Sequence, residues 1–111
     1  MSTARSFTIR EAGPHDRRRL RIAGELDVAS AEALDAALCR LCGEGIREIE
    51  VDLREIDFID SSGLRAILLA KDMCAKRGTE FFLVPGEHPQ QRRLFEITGV
   101  LDRFRWRRGA G

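Results

Sequence analysis

Residues 48–53, within a predicted strand at 46–53, alternate between acidic and aliphatic side chains, and this alternation constrains the fold more than any other feature of the chain. Successive side chains of a β-strand point to opposite faces of a sheet, so one face of this strand is apolar and the other is acidic. A strand that is buried on both faces is apolar throughout. We therefore predict a sheet with helices mainly on one face and a more polar second face. The aliphatic residues are Ile49, Val51 and Leu53, and the acidic ones are Glu48, Glu50 and Asp52.

The rest of the chain alternates between strand and helix patterns. The order is β-β-α-β-α-β-α-β, which is typical of an α/β domain. The first two strands flank a turn cluster at residues 13–16 and should form an antiparallel hairpin, whereas the later strands are joined through helices, so the sheet is mixed. The predicted strands are 6–11, 17–23, 46–53 continuing over 56–59, 79–84, and a short strand at Phe104 and Trp106. The predicted helices are about 30–42, 62–76 and 89–98.

The length and charge of the chain limit its class. A chain of 111 residues suffices for one domain, so residues 1–111 are interpreted as a single domain with its core at about 6–107 and a loose C-terminal tail. A net charge of +1 gives no overall field that attracts nucleic acid or membrane lipid. No apolar run approaches the roughly 20 residues of a membrane span, and no signal peptide is evident. A cytoplasmic protein, either a monomer or a weak dimer, is expected.

Cysteines and aspartates are the candidates for metal binding. Cys39 and Cys42 form a Cys-x-x-Cys pair, but the pair falls within a predicted helix and no second pair exists, so we predict that both are small apolar side chains of that helix. Cys74 lies on the next predicted helix. Because the number of cysteines is odd, no disulfide framework is predicted, and a redox role stays open. Simpler roles are predicted for three aspartates: a solvated face for Asp52, a turn for Asp57 and a helix cap for Asp60. No metal and no cofactor is expected.

Arginines cluster in two places. Clusters of this kind contact phosphates in nucleic-acid-binding proteins. Because the total charge is nearly balanced, we predict instead that they lie on a solvated sheet face and protect a sheet edge, without direct contact to nucleic acid. The clusters are Arg17, Arg18, Arg19 and Arg21, and Arg103, Arg105, Arg107 and Arg108.

The segment Asp60-Ser61-Ser62-Gly63-Leu64 lies where the third strand gives way to the second helix. Free backbone N–H groups and the positive end of the helix dipole favour a negative charge there, so a phosphate on Ser61 would meet little local strain. Taken alone, the pattern equally suits a helix cap, since Asp and Ser are good N-cap residues and Gly permits a tight turn.

Two catalytic interpretations of this segment find little support. A nucleophilic serine needs a base, but no G-x-S-x-G surrounds Ser61 and the only histidines, His15 and His88, lie in other segments. An aspartyl-phosphate receiver domain has a similar size and fold class, but it uses a lysine after a late strand, and no lysine follows Lys76.

Several stretches, in this order, resemble the STAS-domain anti-sigma factor antagonists of bacteria, over about residues 6–107. The stretches are Gly24-Glu25-Leu26-Asp27, Val51-Asp52-Leu53, Phe58-Ile59-Asp60-Ser61-Ser62-Gly63-Leu64, and Arg93-Leu94-Phe95-Glu96-Ile97-Thr98-Gly99-Val100 with Phe104. The resemblance implies that an anti-sigma factor serine kinase phosphorylates Ser61, that the unphosphorylated chain binds this kinase and frees a sigma factor, and that a phosphatase resets the switch. It also implies that Asp27 lies near the phosphorylated serine.

The partner-binding surface is then expected at the starts of the first two long helices. Its residues are Asp27, Ser30, Asp60, Ser62, Gly63 and Leu64, beside Ser61. In this interpretation the chain is a substrate and a ligand rather than an enzyme. The alternative is a STAS subunit that does not switch and serves as a scaffold in a stress-signalling or lipid-transport complex.

Overall fold

A mixed five-stranded sheet and three helices make up the described residues, 7–42 and 45–109, of the computed structural model. The strands are β1 (Thr8–Ala12), β2 (Arg17–Leu26), β3 (Glu48–Ile59), β4 (Glu80–Val84) and β5 (Arg105–Trp106). The helices are α1 (Val28–Cys42), α2 (Ser61–Lys76) and α3 (Pro89–Ile97), followed by a 3₁₀ turn at Leu101–Arg103. The predicted α/β class and element order are confirmed. Ser6 as the first strand residue, and the ends of the chain at 1–5 and 110–111, lie outside the described residues.

The strands lie in the sheet in chain order. β1 and β2 form the predicted antiparallel hairpin, and every later pair is parallel. Because successive parallel strands are added on the same side, right-handed crossovers place α1 and α2 on one face of the sheet, where they pack against each other. Their buried side chains on that face include Leu34, Leu38, Leu41, Leu64 and Ile67.

β3 is one continuous strand, although the sequence suggested two segments. Its pairing with β2 shifts register twice in the second half of the strand, and each shift inserts one additional residue into β3. The shifts turn Leu53, Ile56 and Ile59 toward the core although they are three residues apart. Gly24 of β2 stands beside the second shift with a φ of 99°, a conformation that other residues rarely adopt.

The prediction that Asp52 is solvated is wrong, because its side chain is fully buried on the second face of the sheet. The Arg54 guanidinium donates to both carboxylate oxygens of Asp52, with Nη2 2.7 Å from Oδ2. The Arg21 Nε atom lies 3.5 Å from the same oxygen. Burial alone raises the pKa of Asp52, but the hydrogen bonds from Arg54 outweigh burial and hold the pKa below its usual range.

Arginines cover the rest of this acidic face. Arg19 Nε donates to the Glu50 carboxylate at 2.8 Å, and Arg107 Nη1 donates to Glu48 at 2.7 Å and to Glu50 at 3.3 Å. The Arg107 guanidinium also lies 3.6 Å from the centroid of the Phe82 ring. Long arginine side chains thus cover a polar face with their stems while their charges are paired. This arrangement agrees with the prediction that arginines lie on a face of the sheet. Arg19 and Arg107 form their ion pairs with acidic residues of the same chain.

An aromatic cluster joins α3 to the last strand. The rings of Phe95, Phe104 and Trp106 meet edge to face, with centroids 5.1–5.9 Å apart.

Within residues 7–42 and 45–109, no helix is long and apolar enough to cross a membrane.

We expect the buried ion pairs of Asp52 to make the stability of the chain depend on pH. Its folded-state pKa lies below the ordinary value, so its contribution to the free energy of unfolding is present above a pH of about 4 and is lost as pH falls through the folded pKa. Asp52→Asn weakens the hydrogen bonds from Arg54 and should lower the free energy of unfolding at pH 7 by about 2 kcal/mol. It should also flatten the fall of this free energy between pH 5 and 3, as measured by urea titration.

The control is Glu55→Gln, because Glu55 is an exposed carboxylate that belongs to the same strand. It should leave both the stability at pH 7 and the pH slope close to those of wild type. Equal pH slopes for wild type and Asp52→Asn would contradict the assignment.

Candidate functional site

The ends of β2 and β3 bring two aspartates to one edge of the sheet. Leu26 and Ile59 pair in register at the ends of these parallel strands, so Asp27 and Asp60 follow them side by side. The Asp60 N–H donates to the Leu26 carbonyl at 3.1 Å, which fastens the two ends together. The starts of α1 and α2 are therefore neighbours, as the predicted binding surface requires.

Asp27 caps α1. Its Oδ1 atom accepts hydrogen bonds from the N–H groups of Ala29 and Ser30, each at 3.1 Å. In return the Asp27 N–H donates to the Ser30 hydroxyl at 2.8 Å, and that hydroxyl lies 2.7 Å from the Glu25 carbonyl oxygen. This reciprocal exchange is a capping box with serine at its fourth position. It starts α1 at Val28, two residues before the predicted start, and the bonds from the Ser30 N–H and hydroxyl lower the pKa of Asp27.

Asp60 caps α2 in a similar way. Its Oδ1 atom accepts a hydrogen bond from the Gly63 N–H at 3.0 Å. Ser61 is the first residue of the helix, one residue before the predicted start, and it is exposed, whereas Ser62 is half-buried. The hydroxyl of Ser61 is therefore presented to solvent on the first turn, where backbone N–H groups have no partner within the helix.

Gly63 lets the first turn of α2 lie directly against the end of β2. A Cβ atom at this position would stand 2.6 Å from both the Cγ atom and the carbonyl oxygen of Leu26. Leu64 and Ser30 are buried as well. Of the predicted surface residues, the structure therefore leaves Ser61 exposed and Asp27, Asp60 and Ser62 partly exposed, while the others lie beneath them.

Two glutamines of α3 support the end of β3, and sequence reasoning missed both. β4 pairs with β3 only as far as Asp52, so the rest of β3 has no strand on that side among the described residues. Gln90 replaces the missing strand, since its side chain accepts from the Ile59 N–H at 3.0 Å and donates to the Ile59 carbonyl at 2.6 Å. Gln91 is buried and donates to the Leu53 carbonyl at 3.1 Å. Ile59 directly precedes Asp60, so the hydrogen bonds between Gln90 of α3 and Ile59 help to fix the position of Asp60.

Apolar side chains are exposed beside these polar groups. Val28, which follows Asp27, is 68% exposed, and Phe58, two residues before Asp60, is 40% exposed. Protein interfaces commonly combine apolar contacts with a polar rim. Sequence periodicity predicted neither exposure.

The described residues offer little support for a catalytic or metal centre at this edge. His15 lies in the hairpin turn at the opposite end of β2, and His88 caps α3 through a bond from the Gln90 N–H to its Nδ1 atom at 3.4 Å. Within residues 7–42 and 45–109, no three His, Cys, Asp or Glu side chains group as a metal site requires. The polar side chains described at this edge are therefore a serine hydroxyl and carboxylates.

Comparison with known proteins identifies a family and relatives that this chain resembles. The model of the STAS domain family matches residues 9–109. A putative anti-sigma factor antagonist, BtrV of Bordetella bronchiseptica, is 36% identical over 81 residues, which are 73% of this chain and 69% of the relative.

Solved structures share the fold. An anti-sigma factor antagonist from Mycobacterium paratuberculosis superimposes with a TM-score of 0.80 at 24% identity, over 91% of this chain and 85% of that one. The Bacillus cell fate determinant SpoIIAA in its phosphorylated form gives a TM-score of 0.69 at 20% identity, over 92% and 91% of the two chains.

The close approach at Gly63 predicts a reversed effect of a common substitution. Gly→Ala within a helix ordinarily stabilises by up to about 1 kcal/mol. Here the added methyl group meets Leu26, so Gly63→Ala should lower the free energy of unfolding by about 1–2 kcal/mol in urea titration. Ser62→Ala, on the same turn, is the matched control and should change stability by less than about 0.5 kcal/mol. A gain in stability for Gly63→Ala would contradict the packing described for this turn.

Proposed function

The chain belongs to the STAS-domain family of anti-sigma factor antagonists, and on this premise we propose that it binds an anti-sigma factor through the edge where α1 and α2 begin. The proposed partner is a serine kinase that phosphorylates Ser61. Phosphorylation ends the complex, and a phosphatase restores it. While the unphosphorylated chain holds the anti-sigma factor, the sigma factor is free.

One observation carries this proposal: an exposed serine hydroxyl begins α2 within a cluster of partly exposed carboxylates. Ser61 directly follows Asp60, and the hydrogen bond between the Asp60 N–H and the Leu26 carbonyl keeps the start of α1, with Asp27, beside it. The solved structure of SpoIIAA in its phosphorylated form supports the proposal, because it shows that a protein with this fold can be phosphorylated.

The fold itself should accept a phosphate on Ser61. The first turn of a helix favours negative charge through its free N–H groups and its dipole. Arg65 is exposed one turn further along α2, at the spacing at which opposite charges attract on a helix surface. Phosphorylation is therefore expected to change the surface of the domain and to leave its fold intact.

A bound partner changes the balance of charges. A phosphate adds about −1.5 to −2 charges, and within an interface it must lose water while facing Asp27 and Asp60. Hydrogen bonds to Ser30 lower the pKa of Asp27, so this carboxylate keeps its charge at neutral pH. Each 1.4 kcal/mol of repulsion or desolvation weakens binding about tenfold. A few kcal/mol suffice to release the partner without any large change of conformation.

In the proposed reaction the Ser61 oxygen attacks the γ-phosphorus of ATP held by the kinase, its proton passes to a base of the kinase, and ADP leaves. The kinase supplies the nucleotide, Mg²⁺ and the base. The chain is thus a substrate and a binding protein, and we place it in the cytoplasm with its partner.

Substitutions at Ser61 test the switch. With the purified anti-sigma factor kinase of the same organism, we expect Ser61→Ala to bind like wild type in isothermal titration and to stay bound after ATP and Mg²⁺ are added. Wild type should dissociate under those conditions. Ser61→Asp should bind at least about tenfold more weakly, because its charge imitates part of the phosphate.

Ser62→Ala is the matched control, since it removes the neighbouring hydroxyl and leaves the proposed acceptor in place. Because Ser62 belongs to the predicted binding surface, the control concerns the response to ATP: whatever its affinity, this variant should dissociate when ATP and Mg²⁺ are added, as wild type does. If Ser61→Ala and Ser61→Asp both bind like wild type and ATP has no effect, the switch is refuted and a scaffold role without phosphorylation becomes the better explanation.

A further inference from the structure

Two buried thiols meet where α1 and α2 end, far from the proposed binding surface. Cys42 is the last residue of α1, and Cys74 lies in the last turn of α2. Their Sγ atoms are 2.8 Å apart, and the side chains are 4% and 0% exposed. Both cysteines are free in this structure. The mechanism proposed for Ser61 uses neither of them.

The topology explains why these two residues meet. α1 and α2 begin at the same edge of the sheet and run back along the same face, so residues at similar distances from the two helix starts lie at similar heights. Cys42 is the fifteenth residue of α1 and Cys74 is the fourteenth residue of α2. The pairing therefore follows from the same adjacency that creates the candidate site.

We propose that Cys42 and Cys74 are a redox pair that forms a reversible disulfide when the folded chain meets a hydroperoxide. The sulfur atoms need to approach by only about 0.8 Å to reach the length of a disulfide bond. They belong to two helices that already pack together, so the bond requires no rearrangement of the fold.

The chemistry proceeds in two steps. The sulfur of Cys42, the less buried of the two residues, attacks an oxygen of the hydroperoxide. The O–O bond breaks, and a sulfenic acid and an alcohol (water, for hydrogen peroxide) are formed. The Cys74 sulfur then attacks the Cys42 sulfur, and the sulfenic oxygen leaves as water with the remaining thiol proton. In total, two thiols lose two protons and two electrons, and one hydroperoxide is reduced to an alcohol and water.

Burial makes the oxidation slow and gives it a characteristic pH dependence. Burial and the neighbouring Cys42 thiol raise the pKa of Cys74, which disfavours its thiolate form. Because the thiolate is the nucleophile, the disulfide should form faster at alkaline pH. The exposed Cys39 is a competitor for oxidant rather than a member of the pair, since its Sγ atom lies 3.8 Å from the Met73 sulfur.

The disulfide would stabilise the folded chain and would leave the starts of α1 and α2, where the proposed binding surface lies, unchanged. It would close the chain between residues 42 and 74, a segment that contains β3 and Ser61. Such a cross-link restricts the unfolded chain and should raise the melting temperature by about 10 °C or more. Reduction with dithiothreitol should reverse the shift.

Peptide mapping of the oxidised full chain is the test. Trypsin cleaves after Arg40, Arg47, Lys71 and Lys76, so the three cysteines fall on separate peptides. After treatment with hydrogen peroxide at pH 8 and blocking of residual thiols, we expect an intact mass lower by two hydrogen atoms, apart from any separate oxidation of Cys39 or methionine. The peptide of Cys42 should be joined to that of Cys74. Cys39→Ser is the matched control and should give the same linked peptide and the same melting shift.

Cys42→Ala should abolish both the linked peptide and the melting shift. Circular dichroism before oxidation shows whether this variant has folded, and the mapping of wild type and Cys39→Ser decides the question even if it has not. The proposal is overturned if Cys42 and Cys74 gain only oxygen atoms, if Cys39 is one of the linked residues, if the chains join only into dimers, or if both buried thiols remain unmodified.

Discussion

The hydrogen bond from the Asp60 N–H to the Leu26 carbonyl joins the ends of β2 and β3, and the arrangement of the candidate site depends on it. The two strands are parallel and in register at their ends, so the helices that follow begin side by side. Gly63 keeps this contact close, because any side chain at its position would meet Leu26. Because α1 and α2 begin side by side and have similar lengths, their ends are also neighbours, and the buried thiols of Cys42 and Cys74 meet there.

The two capping aspartates combine a structural role with an electrostatic one. Each carboxylate satisfies N–H groups at a helix start, which fixes its position, yet each remains partly exposed. Negative charge is thereby concentrated around the exposed hydroxyl of Ser61. In the free domain, water screens the repulsion between a phosphate on Ser61 and the carboxylates of Asp27 and Asp60. In an interface that excludes water, the same repulsion is stronger and the phosphate loses its hydration. This contrast explains how one modification can change binding without changing the fold.

The sequence predicted the element order, the one-sided sheet and the start of α2 to within one residue, because alternation in β3 and the capping pattern at Asp60 are local signals. Sequence reasoning failed where contacts between distant parts of the chain determine the surroundings of a side chain. Asp52 has the position of a solvated residue in the alternation, but Arg21 and Arg54 from neighbouring positions enclose it. Gln90 looks like an ordinary polar residue at a helix start, and only the early end of β4 gives it a role against Ile59. Spacing alone did not reveal that β3 continues through two register shifts.

Phosphopeptide mass spectrometry of the chain from its native host, with and without stress, tests the central claim most directly. Trypsin releases residues 55–65 as one peptide that contains both Ser61 and Ser62, and fragment ions assign the phosphate to one of them. We expect a single phosphate on Ser61 whose occupancy falls under stress. Phosphate on Ser62 alone, or an unmodified peptide under every condition, would contradict the phosphorylation switch.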